Sequence, residues 1–280
     1  LDFFTLTLML VASLLHASWH GLVKSGADQM VNLAGMGIVA AVFSALFLPF
    51  VPAPPLAVWP VLAASILLHN GYKVCLAYAY NRGDLVQAFP LARGAVPLFA
   101  TLIGFVGLGQ VPNASQLAGI GLVSFGILLL SLEFARGALS APLLAATAGA
   151  GFAVASYSVL DAYGTRLHGD WLGFTAWLIV LDNLTYLGFS RIVRGPTLWA
   201  GLLHMRWRIL LSGFLGLASF TVFLWALSRN AVGPVSAVRE TSVLFAMLIG
   251  ALIYHEPLSP RRIVSGMLIV AGIVMIAVWK

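Results

Sequence analysis

The chain has 280 residues, 61% of them hydrophobic and only 9% charged, with a formal charge of +6. A soluble domain of this length carries about 25% charged residues, so there is too little polar surface here to face water, and no polar stretch is long enough for an attached aqueous catalytic domain. The basic residues are dispersed over short loops with no basic stripe, which argues against nucleic-acid binding, and the single Cys75 excludes an intramolecular disulfide framework.

Apolar stretches of about 20 residues, each enough to cross a hydrocarbon core of about 30 Å, recur from end to end. In chain order they predict spans at 3–22, 31–50, 59–80, 85–106, 116–132, 142–162, 171–193, 207–228, 234–254 and 261–279. Between them lie turn signals such as Pro52-Ala53-Pro54-Pro55, Pro112-Asn113, Arg194-Gly195-Pro196 and Glu256-Pro257. The runs do not alternate apolar with polar as barrel strands would, so all-α integral membrane architecture is expected. No basic n-region or A-x-A site opens the chain, so no signal peptide is expected, and the missing Met is read as a few residues preceding Leu1.

A charge at mid-bilayer costs about 2.5–3.5 kcal/mol on insertion scales, so intramembrane charges face the bundle interior or a wet cavity. The first span places His16 and His20 on one face with Trp19 close by; proton coupling, a substrate-facing wall, or interhelical hydrogen bonding all remain open. Four-residue spacing also suits a metal, but no third ligand is evident, and no metal or cofactor is expected. The third span carries His69 and Lys73; Lys73 either meets an anionic group, pairs with Asp182, or snorkels. The fourth places Arg93 between Pro90 and Pro97, which predicts a kinked or locally unwound helix. Tyr157, Tyr78 and Trp225 are candidate aromatic walls. Asp161 and Arg166 are expected to pair at the interface. Asp182, central in the seventh span, suits buried pairing or proton coupling. Arg239 and Glu240 in the ninth span follow Pro234. Two readings stay open for the arginines: they flank a central site and engage a carboxylate or phosphate, or each locks helices by pairing with Glu240 or Asp182. Gly119-Ile120-Gly121, Gly149-Ala150-Gly151 and Gly213–Gly216 read as close helix-packing surfaces.

Slid along itself by 146 residues, the chain sets Arg93 on Arg239, Leu98-Phe99-Ala100 on Leu244-Phe245-Ala246, Gly104 on Gly250 and Gly126-Ile127 on Gly272-Ile273; Gln110 meets Glu256. A shift of 138 sets Ala17-Ser18-Trp19 on Ala155-Ser156-Tyr157. This predicts a duplication, residues 1–136 and 137–280. Five spans per half is odd, so the second half must enter the membrane from the opposite face, the inverted-repeat architecture of many secondary transporters. The two arginines then lie about 12 Å into the membrane from opposite sides.

The segment His16-Ala17-Ser18-Trp19-His20, the stretch from Leu76 to Arg93 and the ending Tyr254-His255-Glu256-Pro257-Leu258-Ser259 before the last span resemble the drug/metabolite transporter superfamily, of the ten-helix kind with two EamA-type repeats. The first half departs from the family's Gly-Glu-x-Leu-Ser pattern with Gly109-Gln110-Val111-Pro112. The resemblance implies transport of a small metabolite without a bound cofactor. The expected function is a secondary transporter working by alternating access, driven by its substrate gradient or a coupled ion. An amino-acid-like solute is the first candidate, because the intramembrane charges balance, and an organic anion the second. The expected substrate set is Trp19, His20, Lys73, Arg93, Tyr157, Arg239 and Glu240, with His16, His20 or Asp182 for proton coupling. The expected partners are the metabolite and membrane lipid, with the protein a monomer or homodimer in an inner or plasma membrane. The competing class is a membrane scaffold or lipid scramblase without a specific metabolite site. An intramembrane enzyme is disfavoured, since His255-Glu256 continues without a second His and no Gly-x-Ser-x-Gly occurs. Lys24, Arg82, Arg136, Arg191, Arg194, Arg206, Arg208, Arg261 and Arg262 fall on one side against Arg166, Arg229 and Lys280 on the other. The positive-inside rule then puts both termini outside; the family resemblance implies the reverse.

Overall fold

A computed structural model of the chain describes residues 1–24, 28–81, 85–134, 141–204, 206–253 and 258–278. The helices in order are α1 (Phe3–Lys24), α2 (Gln29–Ala45), α3 (Trp59–Asn81), α4 (Leu85–Leu108), α5 (Ala114–Phe134), α6 (Ala141–His168), α7 (Trp171–Arg194), α8 (Thr197–His204), α9 (Arg206–Arg229), α10 (Val232–Arg239), α11 (Ser242–Ile253) and α12 (Pro260–Val278). Among the described residues there is no strand. Eight segments are long and apolar enough to cross a membrane; α10 and α11 together form one of them. In α4 the qualifying apolar stretch is shorter, Arg93–Leu108.

Helix starts are set by local chemistry. Asp28 accepts from the backbone N–H groups of Met30 (3.0 Å) and Val31 (3.2 Å) to cap α2, and Asp170 accepts from Leu172 N–H (3.0 Å) to cap α7. Asn113 and Gln116 satisfy each other's N–H groups at the start of α5 (2.8 and 3.1 Å), a reciprocal capping box. Glycines with positive φ follow α4, α6 and α7, at Gly109, Gly169 and Gly195. Side chains such as Phe50, Val106 and Leu252 point outward, where lipid is the solvent they suit.

The packing crosses the middle of the chain. Helix α3 lies on α6 and α1 on α9; α4 lies on α6, and α1 on α10 and α11; α2 packs on α7 and α5 on α12. The α5–α12 contact brings backbone against backbone: a Cβ at Gly272 would come within 2.5 Å of the Gly119 carbonyl, and one at Gly119 within 2.6 Å of the Gly272 carbonyl. Gly213 likewise abuts Val39 and Met36. The expected packing role thus holds for Gly119 and Gly213, whereas Gly121 and Gly149 have open space around them.

Two expectations are corrected. Of the kink or local unwinding foreseen in the fourth span, the unwinding is absent: α4 is helical through both Pro90 and Pro97. It falls instead between α10 and α11, at Glu240–Thr241. There Thr241 N–H turns back to Val238 C=O (3.0 Å), which also accepts Thr241 Oγ1 (2.7 Å) and Ser13 Oγ from α1 (3.2 Å). The freed backbone groups are therefore met by protein, as non-helical backbone at membrane depth requires. Asp161 also does not pair with Arg166. It is fully buried with Ser65 and His69 as partners, and Arg166 donates to the carbonyls of Leu227 (3.2 Å) and Asn230 (2.8 Å) instead.

Candidate substrate site

Four helices bring a set of buried polar side chains together. Arg93 of α4 donates through Nη1 to Glu240 Oε1 (3.1 Å) and through Nη2 to Tyr72 Oη (3.1 Å), and the same Nη2 lies 3.0 Å from His16 Nε2. Arg239, at the end of α10, reaches the other face of the same imidazole, with Nη2 3.5 Å from His16 Nδ1. Trp19 Nε1 donates to His16 Nδ1 (3.2 Å), His20 Nε2 lies 3.2 Å from His16 Nε2, and the Trp19 and His20 rings stack at 3.6 Å. Indole and guanidinium N–H groups only donate, and a neutral imidazole has a single acceptor nitrogen, so His16 accepts either at Nδ1, facing Trp19 and Arg239, or at Nε2, facing Arg93, but not at both. Among the described residues no group of three His, Cys, Asp or Glu side chains converges as a metal site.

The arginines differ. Arg93 has a carboxylate; Arg239, 7% exposed, has none among the described residues. Its guanidinium lies over the Phe223 ring at 3.8 Å and near Phe220 at 5.8 Å, and its Nε and Nη1 find no protein acceptor. The adjacent Glu240, fully buried, leaves Oε2 without a donor. Buried polar atoms are satisfied in the great majority of cases, and among the described residues Arg239 Nε and Nη1 and Glu240 Oε2, on either side of a helix break, are exceptions.

Tyr157 of α6 borders this set, 6.1 Å from Tyr72 ring to ring. Behind it lies a second buried group. Asp161 accepts from Ser65 Oγ and lies 3.0 Å from His69 Nε2, and the His69 ring stacks on Tyr157 at 3.7 Å. Lys73 is not brought to the arginines. It donates to Asp182 Oδ2 (2.7 Å) and Asn183 Oδ1 (3.1 Å), and Asn70 Nδ2 donates to Asp182 Oδ1 (2.9 Å), forming a polar seam between α3 and α7. Trp225 packs edge-on against Phe4 and under Arg229, away from the set.

Tyr72, Phe220 and Phe223 were absent from the expected substrate set. Tyr72 carried a weak signal, lying three residues from His69 and one from Lys73; the phenylalanines carried none, because an apolar ring in an apolar span has no contrast. Gln110, the departure from the family pattern, braces the neighbouring half, since its Oε1 accepts Val232 N–H (2.9 Å) at the first turn of α10.

The transporter class rests on likeness to known proteins. Residues 140–278 match the EamA-like transporter family, and the chain is a member of the drug/metabolite transporter superfamily, a multi-pass membrane protein. It is 25% identical over 217 residues to the uncharacterized transporter YoaV of Bacillus subtilis (strain 168), covering 75% of this chain and 73% of that protein. It is 26% identical over 201 residues to the uncharacterized transporter YojE of the same organism, covering 71% and 63%. A solved crystal structure superposes on 98% of this chain and 96% of its own with a TM-score of 0.72 at 18% identity, a likeness of fold alone.

Proposed function

We propose that the chain is a secondary transporter of an amino-acid-like metabolite, built as ten spans in two inverted halves, residues 1–136 and 137–280, and working by alternating access. One observation carries the substrate reading: among the described residues Arg239 leaves Nε and Nη1, and the next residue, Glu240, leaves Oε2, without a protein partner. In this reading the guanidinium takes a carboxylate and the glutamate oxygen takes an ammonium group. Trp19, His20, Tyr157, Phe220 and Phe223 wall the site, with Arg93, itself bonded to Tyr72, holding Glu240 in place. The exchange of partners in the packing, α3 on α6 against α1 on α9, supports two equivalent halves. Lys73 and Asp182 serve as a structural pair in this reading. The site is complete within one chain, so a monomer suffices and a homodimer would carry two.

The test is uptake into proteoliposomes of each of the twenty labelled L-amino acids, with succinate and lactate alongside. Saturable flux of one or more amino acids is expected. Flux confined to the organic anions would replace the substrate class; no saturable flux, with unaltered lipid mixing of leaflets, would favour the scaffold, and rapid leaflet mixing the scramblase. Orientation is checked separately. The charge count puts the α4–α5 loop outside, so V111C in a Cys75→Ser background should react with a membrane-impermeant maleimide in intact cells; reaction only after lysis would reverse the orientation.

A further inference from the structure

We infer that the His69–Asp161 pair is the proton site of this transporter, and that a proton binds there together with the substrate. The inference rests on the transport reading above. Three observations carry it. Both side chains are buried, Asp161 completely and His69 at 6% exposure, yet they keep an ionisable pair 3.0 Å apart. Apolar side chains of similar volume would pack the α3–α6 contact at least as well as this buried hydrogen-bonded pair, and the pair adds what they would lack, a place to hold a proton. The pair also joins a helix of the first half to a helix of the second, the contact that any rocking of the halves must alter. Finally, it touches the substrate site through rings: His69 stacks on Tyr157 and meets Phe220 edge-on at 5.4 Å, and Phe220 lies 5.8 Å from the Arg239 guanidinium.

The charged and titratable groups around the pair are few. From α3 come Tyr72, which accepts from Arg93, and Lys73, which is turned to Asp182 of α7. From α6 comes Tyr157, stacked on His69. Beyond Phe220 of α9 lies Arg239, followed in the chain by Glu240, and beyond Tyr72 lie Arg93, His16 and His20. A substrate at Arg239 reaches the pair through the Phe220 and Tyr157 rings; in this proposal it favours the proton, and by linkage the proton favours substrate to the same degree. The step is one proton taken from water onto the His69–Asp161 pair, held between Nε2 and Oδ2, and given back to water on the far side. Proton and substrate therefore travel in the same direction.

The experiment uses proteoliposomes loaded with the pH dye pyranine and given an equimolar mixture of the twenty 14C-labelled L-amino acids. Wild-type protein should acidify the lumen when the mixture is added, and an inward proton gradient should raise accumulation at least fivefold. H69Q keeps a donor to Asp161 and should retain at least a third of wild-type counterflow at equal pH, while losing at least nine-tenths of both proton readouts. D161N should do the same; should it not fold by size-exclusion profile, H69Q decides alone. S65A, which removes only the hydroxyl, should stay coupled with a shifted pH profile. H69Q that acidifies the lumen as fast as wild type would overturn the inference, as would wild-type flux indifferent to pH or an H69Q without counterflow. Absence of any wild-type counterflow would instead bring down the transport reading and this inference with it.

Discussion

Replacing Arg239 by glutamine should reduce saturable flux about a hundredfold while leaving the protein folded. Among the described residues Arg239 has no carboxylate to abandon, and its Nε and Nη1 find no acceptor. Two charge-assisted hydrogen bonds to a substrate carboxylate are worth about 1.5 kcal/mol or more each, which together is about two decades of affinity. The loss should therefore appear chiefly as a raised KM. Arg239→Lys keeps the charge and loses the planar fork, so an intermediate loss of about tenfold is expected. Thermal unfolding of Arg239→Gln in detergent should match or exceed wild type, because the substitution removes a buried cation that stands against only a ring and an imidazole. A variant that transports normally would show that this guanidinium is structural. One that fails to fold would point to a partner not visible at this site.

Much of this was legible in the sequence and some was not, for identifiable reasons. The spans were, because lipid imposes length and apolarity on every crossing segment. The convergence of His16, Trp19, His20, Arg93, Arg239 and Glu240 followed from the cost of burying polar groups and from the repeat. Asp161 was given Arg166 as partner because Tyr163–His168 looks like a loop start; its polar residues are in fact the last turns of α6, so Asp161 lies about 10 Å from the helix end. Proline was the signal for a kink or local unwinding in the fourth span, yet α4 stays helical through two of them, and the break between α10 and α11 is held by Ser13 and Thr241 on the Val238 carbonyl. That cause is tertiary and leaves no local signature. The Arg93–Glu240 bond was one of two open readings, since Glu240 lies next to Arg239 in sequence but pairs with Arg93, 147 residues away.

That long-range pair makes the second large effect a test of folding and function together. Glu240→Gln leaves the Arg93 guanidinium, 2% exposed, with a neutral partner. Breaking one side of a buried pair costs about 3–5 kcal/mol, which for a chain of this size is a fall in Tm of about 10 °C. Arg93→Gln should cost a similar amount by stranding Glu240, whose Oε2 already lacks a donor. In the double variant the stranded charge disappears, so its Tm should lie above that of either single variant, a coupling that additive effects would not give. Flux should separate the two roles: the double variant regains stability but not transport, because Oε2 of Glu240 is the proposed seat of the substrate ammonium. If the double variant recovers both, Glu240 serves only to hold Arg93, and the substrate is an organic anion held by Arg239.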